Sequence, residues 1–394
     1  MIPFEKDNKG LKQKHFLLLF LSFILIFLSV WLNRSGVFIL ASLLLLYILL
    51  VVGIDKWAGN QLSLPGGKRT YRMFVGDKEE VPITLKNFSW IPLQNGSLHF
   101  TVGNVVSEKT YKKIERYNET EQSSLLLSIP GKSNIEVNLS FEAQRRGVTS
   151  ISDVHFLFKN VFSLEDISLY LRKNRFIELV VYPEQKEVFG LDDLMIQALG
   201  NLRATYSPYE DLLEPAGTRG YVSGDPFHRI HWKSSAKTQQ LQTKVYERKW
   251  EMSWTIIVNV GTKTRLGNQY ISKKIEEYLS VITYFYYRAA KFGIPIELHM
   301  NISGYGASYF KIEKEDGGEQ LKKVLDILAR IRTNERIIPI HTVLHMLNQN
   351  ITCHRHIIFL GEEDDSIPFY FHQWKRRGIQ LNRVQQSEEG YFIE

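Results

Sequence analysis

Cysteine is nearly absent: Cys353 is the only one in 394 residues. No internal disulfide can form, which excludes the disulfide-stapled secreted class and agrees with a reducing compartment. Catalytic signatures are missing too. The chain has no Gly-x-Ser-x-Gly elbow and no zinc-ligand spacing. Gly66-Gly67-Lys68-Arg69-Thr70 lacks the first glycine of a phosphate loop and puts Arg69 where Ser or Thr is needed. Cys353 sits near His354 and His356, but neighbouring strand residues point to opposite faces, so a thiol–imidazole pair is not built. A small buried side chain is the better reading of that thiol. The formal charge is only +7, and the basic residues are dispersed rather than striped, which argues against nucleic acid.

What is present starts with greasy runs. Phe16–Leu32 is 17 residues without a charge and Val37–Ile54 is 18 more, separated by Asn33, Arg34, Ser35 and Gly36. At ~1.5 Å per residue each run reaches about 26 Å, near the ~30 Å hydrocarbon thickness of a bilayer. The expectation is a transmembrane helical hairpin over 16–54. Lys6, Lys9, Lys12 and Lys14 precede it, and Lys56, Lys68, Arg69 and Arg72 follow. The positive-inside rule then makes residues 1–15 a basic cytoplasmic leader. A multi-pass cell-membrane protein results, with a lipid bilayer as partner and both termini and the soluble body in the cytoplasm.

At this length two soluble domains are expected. After a linker near Pro65-Gly66-Gly67, alternating stretches recur: Val81–Leu85, Leu98–Val102, Ile135–Phe141, Ile151–Phe158 and Ile177–Tyr182. Short β-branched strands without a convincing helix predict an Ig-like β-sandwich over 60–185. Gly103–Ser124, rich in Lys and Glu, reads as a solvated loop or a charged hairpin tip.

Residues 186–250 connect this domain to the next and contain the densest segment of the chain, RGYVSGDPFHRIHWKSSAK at 219–237. Arg219, Tyr221, Gly224, Asp225, Arg229, His231, Trp232, Ser235 and Ala236 are packed too closely, and without amphipathic period, to form a core face. Asp225-Pro226 reads as a helix start, with an aspartate cap and proline in the first turn. Asp225, His228 and His231 form Asp-x-x-His-x-x-His, but successive i, i+3 steps drift around a helix and would not converge on a metal. Two compatible readings remain. Arg219, Asp225 and Arg229 form an internal ion-pair and capping network, or the segment is a docking surface, for which Arg and Trp are suited.

The motif Arg-x-Tyr-x-x-Gly-Asp, followed three residues later by Arg-x-Ile-His-Trp-Lys-x-Ser-Ala-Lys, resembles the signature of the bacterial "domain of unknown function 58" family. Arg146-Gly147, Phe158–Leu164 and Val181-Tyr182-Pro183 are similar to further family stretches, although Asn160-Val161 replaces the family's Asp-Pro. The resemblance implies membrane anchoring, a C-terminal von Willebrand A-like domain, and as partners a MoxR-type AAA+ ATPase and a transglutaminase-like protein.

Residues 251–394 alternate strands and helices: Trp254–Val260, a helix over Tyr270–Phe292 ending at Gly293, Pro295–Met300, helices near Gln320–Arg332 and His341–Gln349, His356–Leu360, a helix near Pro368–Arg377, and Ile379–Val384. Such alternation predicts a parallel, Rossmann-like sheet covered on both faces. The resemblance makes the domain von Willebrand A-like, with a metal-binding Asp-x-Ser-x-Ser after its first strand. Here the positions read Asn259-Val260-Gly261-Thr262-Lys263. The carboxylate and hydroxyls are gone and Lys263 repels a dication, so no metal is expected there.

The expected function is that of a membrane-anchored, non-enzymatic adaptor or assembly protein in cell-envelope maintenance, without cofactor. Two alternatives stand beside it: an envelope-modifying enzyme using Asp225, His228 or His231, and a module that binds lipid or peptidoglycan precursor.

Overall fold

The structure is a computed structural model that describes residues 2–6, 11–31, 35–57, 61–108, 112–117, 120–159, 166–171, 177–200, 210–248, 253–263, 269–304, 308–351 and 355–394. Cys353, His354, Asn160, Val161 and Lys9 lie outside these residues. The chain divides into two compact units, Met1–Glu184 with Leu328–Arg330, and Gln185–Ile327 with Ile331–Glu394.

The first unit begins with a strand, β1 (Ile2–Lys6), and two helices, α1 (Leu11–Trp31) and α2 (Ser35–Trp57). Twelve further strands follow: β2 (Leu62–Leu64), β3 (Arg69–Phe74), β4 (Lys78–Asn87), β5 (Leu93–Gly103), β6 (Val106–Glu108), β7 (Lys112–Tyr117), β8 (Thr120–Ile129), β9 (Ser133–Ala143), β10 (Gly147–Ser150), β11 (Ser152–Lys159), β12 (Asp166–Leu171) and β13 (Ile177–Tyr182). Nine of them and β1 form one sheet in the order β6-β9-β4-β2-β1-β12-β11-β5-β8-β7, and β10-β13-β3 form a second. The large sheet folds over at β1, whose residues Ile2 and Pro3 pair with β2 while Phe4 to Lys6 pair with β12. Its two halves close on one core. Alternation supplies Val81, Ile83 and Leu85 from β4 and Leu98, Phe100 and Val102 from β5, all buried. Phe100 meets Phe141 of β9 edge to face at 6.3 Å. Gly96 is required on β5, since a Cβ there would lie 2.1 Å from the Phe156 ring. This is a β-sandwich.

Two expectations are corrected here. The basic leader over 1–15 is not a tail: Ile2–Lys6 is a strand of the sandwich, and Phe4 is only 4% exposed. The transmembrane hairpin is not supported either. Helices occupy the apolar runs, but among the described residues no helix is long and apolar enough to cross a membrane. The multi-pass location and the cytoplasmic orientation, both argued from that hairpin, fall with it. Of the two readings of 103–124, the hairpin is the one observed, for β7 and β8 pair there.

The second unit contains β14 (Val188–Phe189), α3 (Leu191–Gly200), β15 (Glu210–Gly220), α4 (Trp232–Thr238), β16 (Gln242–Arg248), β17 (Trp254–Asn259), β18 (Gly261–Lys263), β19 (Gln269–Ile271), α5 (Ile275–Phe292), β20 (Ile296–Met300) and β21 (Phe310–Glu315). It ends with α6 (Gly317–Arg330), α7 (Ile340–Asn350), β22 (His356–Gly361), α8 (Ile367–Arg376), β23 (Gln380–Ser387) and β24 (Gly390–Ile393). Seven strands form a sheet in the order β14-β24-β23-β22-β17-β20-β21. The central four, β23, β22, β17 and β20, run parallel. All six residues of β17 are buried, as an apolar strand covered on both faces must be. Ile257, Ile357 and Phe359 pack under Leu344 of α7 and Phe371 and Trp374 of α8. Helix α5 buries Leu279, Ile282, Phe285 and Tyr286, and Gly293 stops it in the left-handed region at φ +66°.

Candidate functional site

The 219–237 segment is built on a hairpin. β15 and β16 are antiparallel, with Thr218 opposite Lys244 and Gly220 opposite Gln242. Between them the chain makes a turn, a short 3-10 helix at Phe227–Arg229, and α4. Gly224 takes φ +113°, a conformation few other residues adopt.

Asp225 organises the turn. Arg219 donates to both its oxygens, at 2.7 and 2.8 Å, in a fork geometry that fixes register as well as charge. The Val222 N–H and the Thr243 hydroxyl each add a bond of 3.1 Å. The Arg219 bonds, then the Val222 N–H, hold the Asp225 carboxyl down to about 2. It is therefore an anion at any physiological pH and ill-matched to acid–base work. Asp225 does not cap a helix. The 3-10 helix has no side-chain cap, and α4 starts later, at His231.

His231 is the cap of α4: its Nδ1 accepts from the Ser234 N–H at 3.0 Å. Its own N–H bonds the Gln242 carbonyl at 2.8 Å, tying α4 to β16. Ser235 is buried and finishes the tie, donating to the His231 carbonyl and accepting from the Gln242 N–H at 2.8 Å. Arg229 stacks over the Tyr246 ring at 5.8 Å. Asp225 and His231 are thus each committed to a different local bond. Among the described residues no three His, Cys, Asp or Glu side chains are grouped to hold a metal.

What these bonds leave uncovered is aromatic. Phe227 is 74% exposed and Trp232 67%, with Val222, Leu241 and Val245 exposed as well. Tyr221 leans on Phe227 at 6.1 Å between centroids. Lys233, Ala236, Lys237 and His228 are exposed too. The segment therefore separates into a hydrogen-bonded frame (Arg219, Asp225, His231, Ser235) and a presented surface (Phe227, Trp232). Two members were missed from sequence. Thr243 lies on the return strand, and Phe227 sits at a position a helix starting from Asp225 would have placed on one face with Ile230, which is buried at 3%.

At the carboxyl end of β17, Asn259 Oδ1 accepts from Gly261 N–H at 3.1 Å and from Asn301 Nδ2 at 2.8 Å. Its Nδ2 donates to the Glu362 carbonyl at 2.7 Å. Lys263 forms an ion pair with Asp364 at 2.9 Å, which draws the Asp364 carboxyl below its usual range. Asp364, which the sequence reading did not single out, is thereby matched by an ammonium.

Residues 217–304 match the model of the family described as "Protein of unknown function DUF58". Over these residues the chain is similar to the DUF58 family. The DUF58 match begins in β15, includes the whole signature, and runs through β17 and α5 past β20. No curated protein matches the chain. Among solved structures, a non-cellulosomal cohesin from the archaeon Archaeoglobus fulgidus is 11% identical, covering 31% of this chain and 89% of that one, at a TM-score of 0.19. The sixth cohesin of Acetivibrio cellulolyticus scaffoldin B is 12% identical over 30% and 98% of the chains, at 0.21. Spo0M, a sporulation control protein from Bacillus subtilis, is 13% identical over 41% and 57%, at 0.17. Likenesses of this strength carry no argument about function.

Proposed function

We propose that this protein is a non-enzymatic adaptor or assembly factor that docks a partner through the Phe227–Trp232 surface. The observation that carries the reading is the division of labour within the signature. Arg219, Asp225, His231 and Ser235 are consumed in holding the turn, while Phe227 and Trp232 face solvent. Exposed aromatic side chains on a rigid frame are what an interface hot spot needs. An acid–base role is disfavoured, because Asp225 is locked by Arg219 and the His231 Nδ1 is spent on the α4 cap.

The partner we propose, from the family resemblance, is a MoxR-type AAA+ ATPase, with a transglutaminase-like protein in the same assembly and cell-envelope maintenance as the setting. The test is co-expression of the full chain with such an ATPase and capture of the complex. Wild type should retain the ATPase, whereas Trp232→Ala and Phe227→Ala should lose most of it while remaining folded. Failure of wild type to capture it, or equal capture by the variants, sinks the proposal.

A further inference from the structure

The outer face of β5, β11 and β12 carries a row of rings that the core does not explain. His99 of β5 stands directly opposite His155 of β11, and Tyr170 of β12 stands opposite His155 on its other side. The imidazole centroids are 4.8 Å apart with planes 7° from parallel, and the Tyr170 ring lies 5.4 Å from His155. The alternate residues Leu98, Phe100, Phe156 and Leu169 fill the core. Strand period therefore turns the rings outward, where packing makes no demand for imidazole.

Each imidazole has one nitrogen engaged and one left over. His155 Nδ1 lies 2.9 Å from the Asp153 carbonyl oxygen. A carbonyl only accepts, so Nδ1 carries the proton and Nε2 keeps its lone pair. His99 Nε2 lies 2.9 Å from Ser97 Oγ. In the tautomer in which that hydroxyl accepts, Nε2 carries the proton and Nδ1 of His99 keeps the lone pair. Fixing one imidazole nitrogen so that the other can ligate is how metal-binding histidines are oriented. Burial first, and the facing His155 second, lower the basicity of His99 and favour its neutral, ligating form.

We infer that His99 and His155 form a two-histidine site for a borderline divalent transition metal such as Cu(II) or Zn(II), with Tyr170 beside it. The two parallel rings must tilt toward each other to share an ion, which side chains on a solvent-facing sheet can do. The other residues opposite the row are Ser124 across from His99 and Glu5 across from Tyr170. One carboxylate, two strands from His155, is too little for Ca(II) or Mg(II), which want several oxygens, whereas imidazole suits Cu(II) and Zn(II).

The experiment is calorimetric titration of the full chain with Cu(II) and, separately, Zn(II). His341 and His345 lie one turn apart on the exposed side of α7, so the titrations are run in a His345→Gln background. One equivalent should bind. His99→Gln and His155→Gln should each abolish it or weaken it at least about tenfold, and Ser97→Ala should weaken it by about tenfold through loss of ring orientation. All three residues are half-buried on the outer face of the sheet and outside its core, so melting temperature should move little. Unchanged binding in both histidine variants overturns the inference. So does binding that is seen in wild type and vanishes with His345→Gln, since the ion then belongs to α7.

Discussion

Trp232→Ala is the sharpest test of the docking surface, because the folded chain and the complex should respond differently. A tryptophan buries roughly 150–250 Å² when fully covered, and Trp232 is 67% exposed in the free chain. A partner covering the remainder removes about 130 Å² from water, worth ~3 kcal/mol at ~25 cal/mol per Å². Part of that is offset by ordering the interface, so a loss of about 2 kcal/mol is expected, or roughly 30-fold in Kd. The free protein barely uses the ring, and its stability should change by no more than ~0.5 kcal/mol. The assay pairs a binding titration of the full chain against the purified ATPase with thermal melting of the same samples. Weakened binding at constant melting temperature supports the reading. A falling melting temperature would place the ring in the fold instead, and unchanged affinity would remove Trp232 from the interface.

Other perturbations probe the frame and the second unit. Asp225→Asn should loosen the turn, read as faster amide exchange at Val222 and His231 at neutral pH. Because the folded carboxyl is held down to about 2, this contribution is present above pH ~3.9 and fades as pH falls through about 2, where wild type and variant should converge. Glu297 is buried; its burial pushes the carboxyl up, but His299 beside it, the Thr255 hydroxyl and the Arg355 guanidinium outweigh it and hold the group down to about 2. Relative to an unfolded value of ~4.3 this is worth on the order of 3 kcal/mol above that pH, lost on acidification toward 2. Glu297→Gln should therefore lower protection of β17 and β20 amides at pH 7, and an unchanged exchange pattern would contradict the pairing.

Local pattern carried some of this structure and long-range pairing carried the rest. The stretch at 254–260, apolar but for Thr255 and Asn259, contains the buried β17, and the spacing of Leu279, Ile282 and Tyr286 before Gly293 is the inner face of α5. Both signals are contained within a few turns of chain. The helix-start reading of Asp225 failed because Asp-Pro is a strong local signal, whereas the carboxylate is claimed by Arg219, as the ion-pair reading had it, and by Thr243 from the return strand. That pairing exists only once the hairpin has closed. Lys263 was legible as a residue hostile to a dication, but its partner Asp364 comes from the loop after β22, and nothing in the spacing links the two. The apolar runs announced helices correctly, yet run length alone overstated what those helices are.

The first strand is where the sequence was most misleading, and its place in the sheet makes a further demand. Ile2–Lys6 is too short for a periodic signal, and its partners are Leu62–Leu64 on one side and Leu169–Leu171 on the other. Among the described residues it is the strand that links the two halves of the ten-stranded sheet. Helices α1 and α2 therefore leave and return at adjacent strands, inserted in the β1–β2 connection. If β1 joins the halves, Phe4→Ala, which empties a core position, should cost about 3 kcal/mol. Exchange protection should then fall together at Leu64 and at Leu169, on strands far apart in sequence. Protection lost at residues 2–6 alone would mean that β1 merely lies against a sandwich that closes without it.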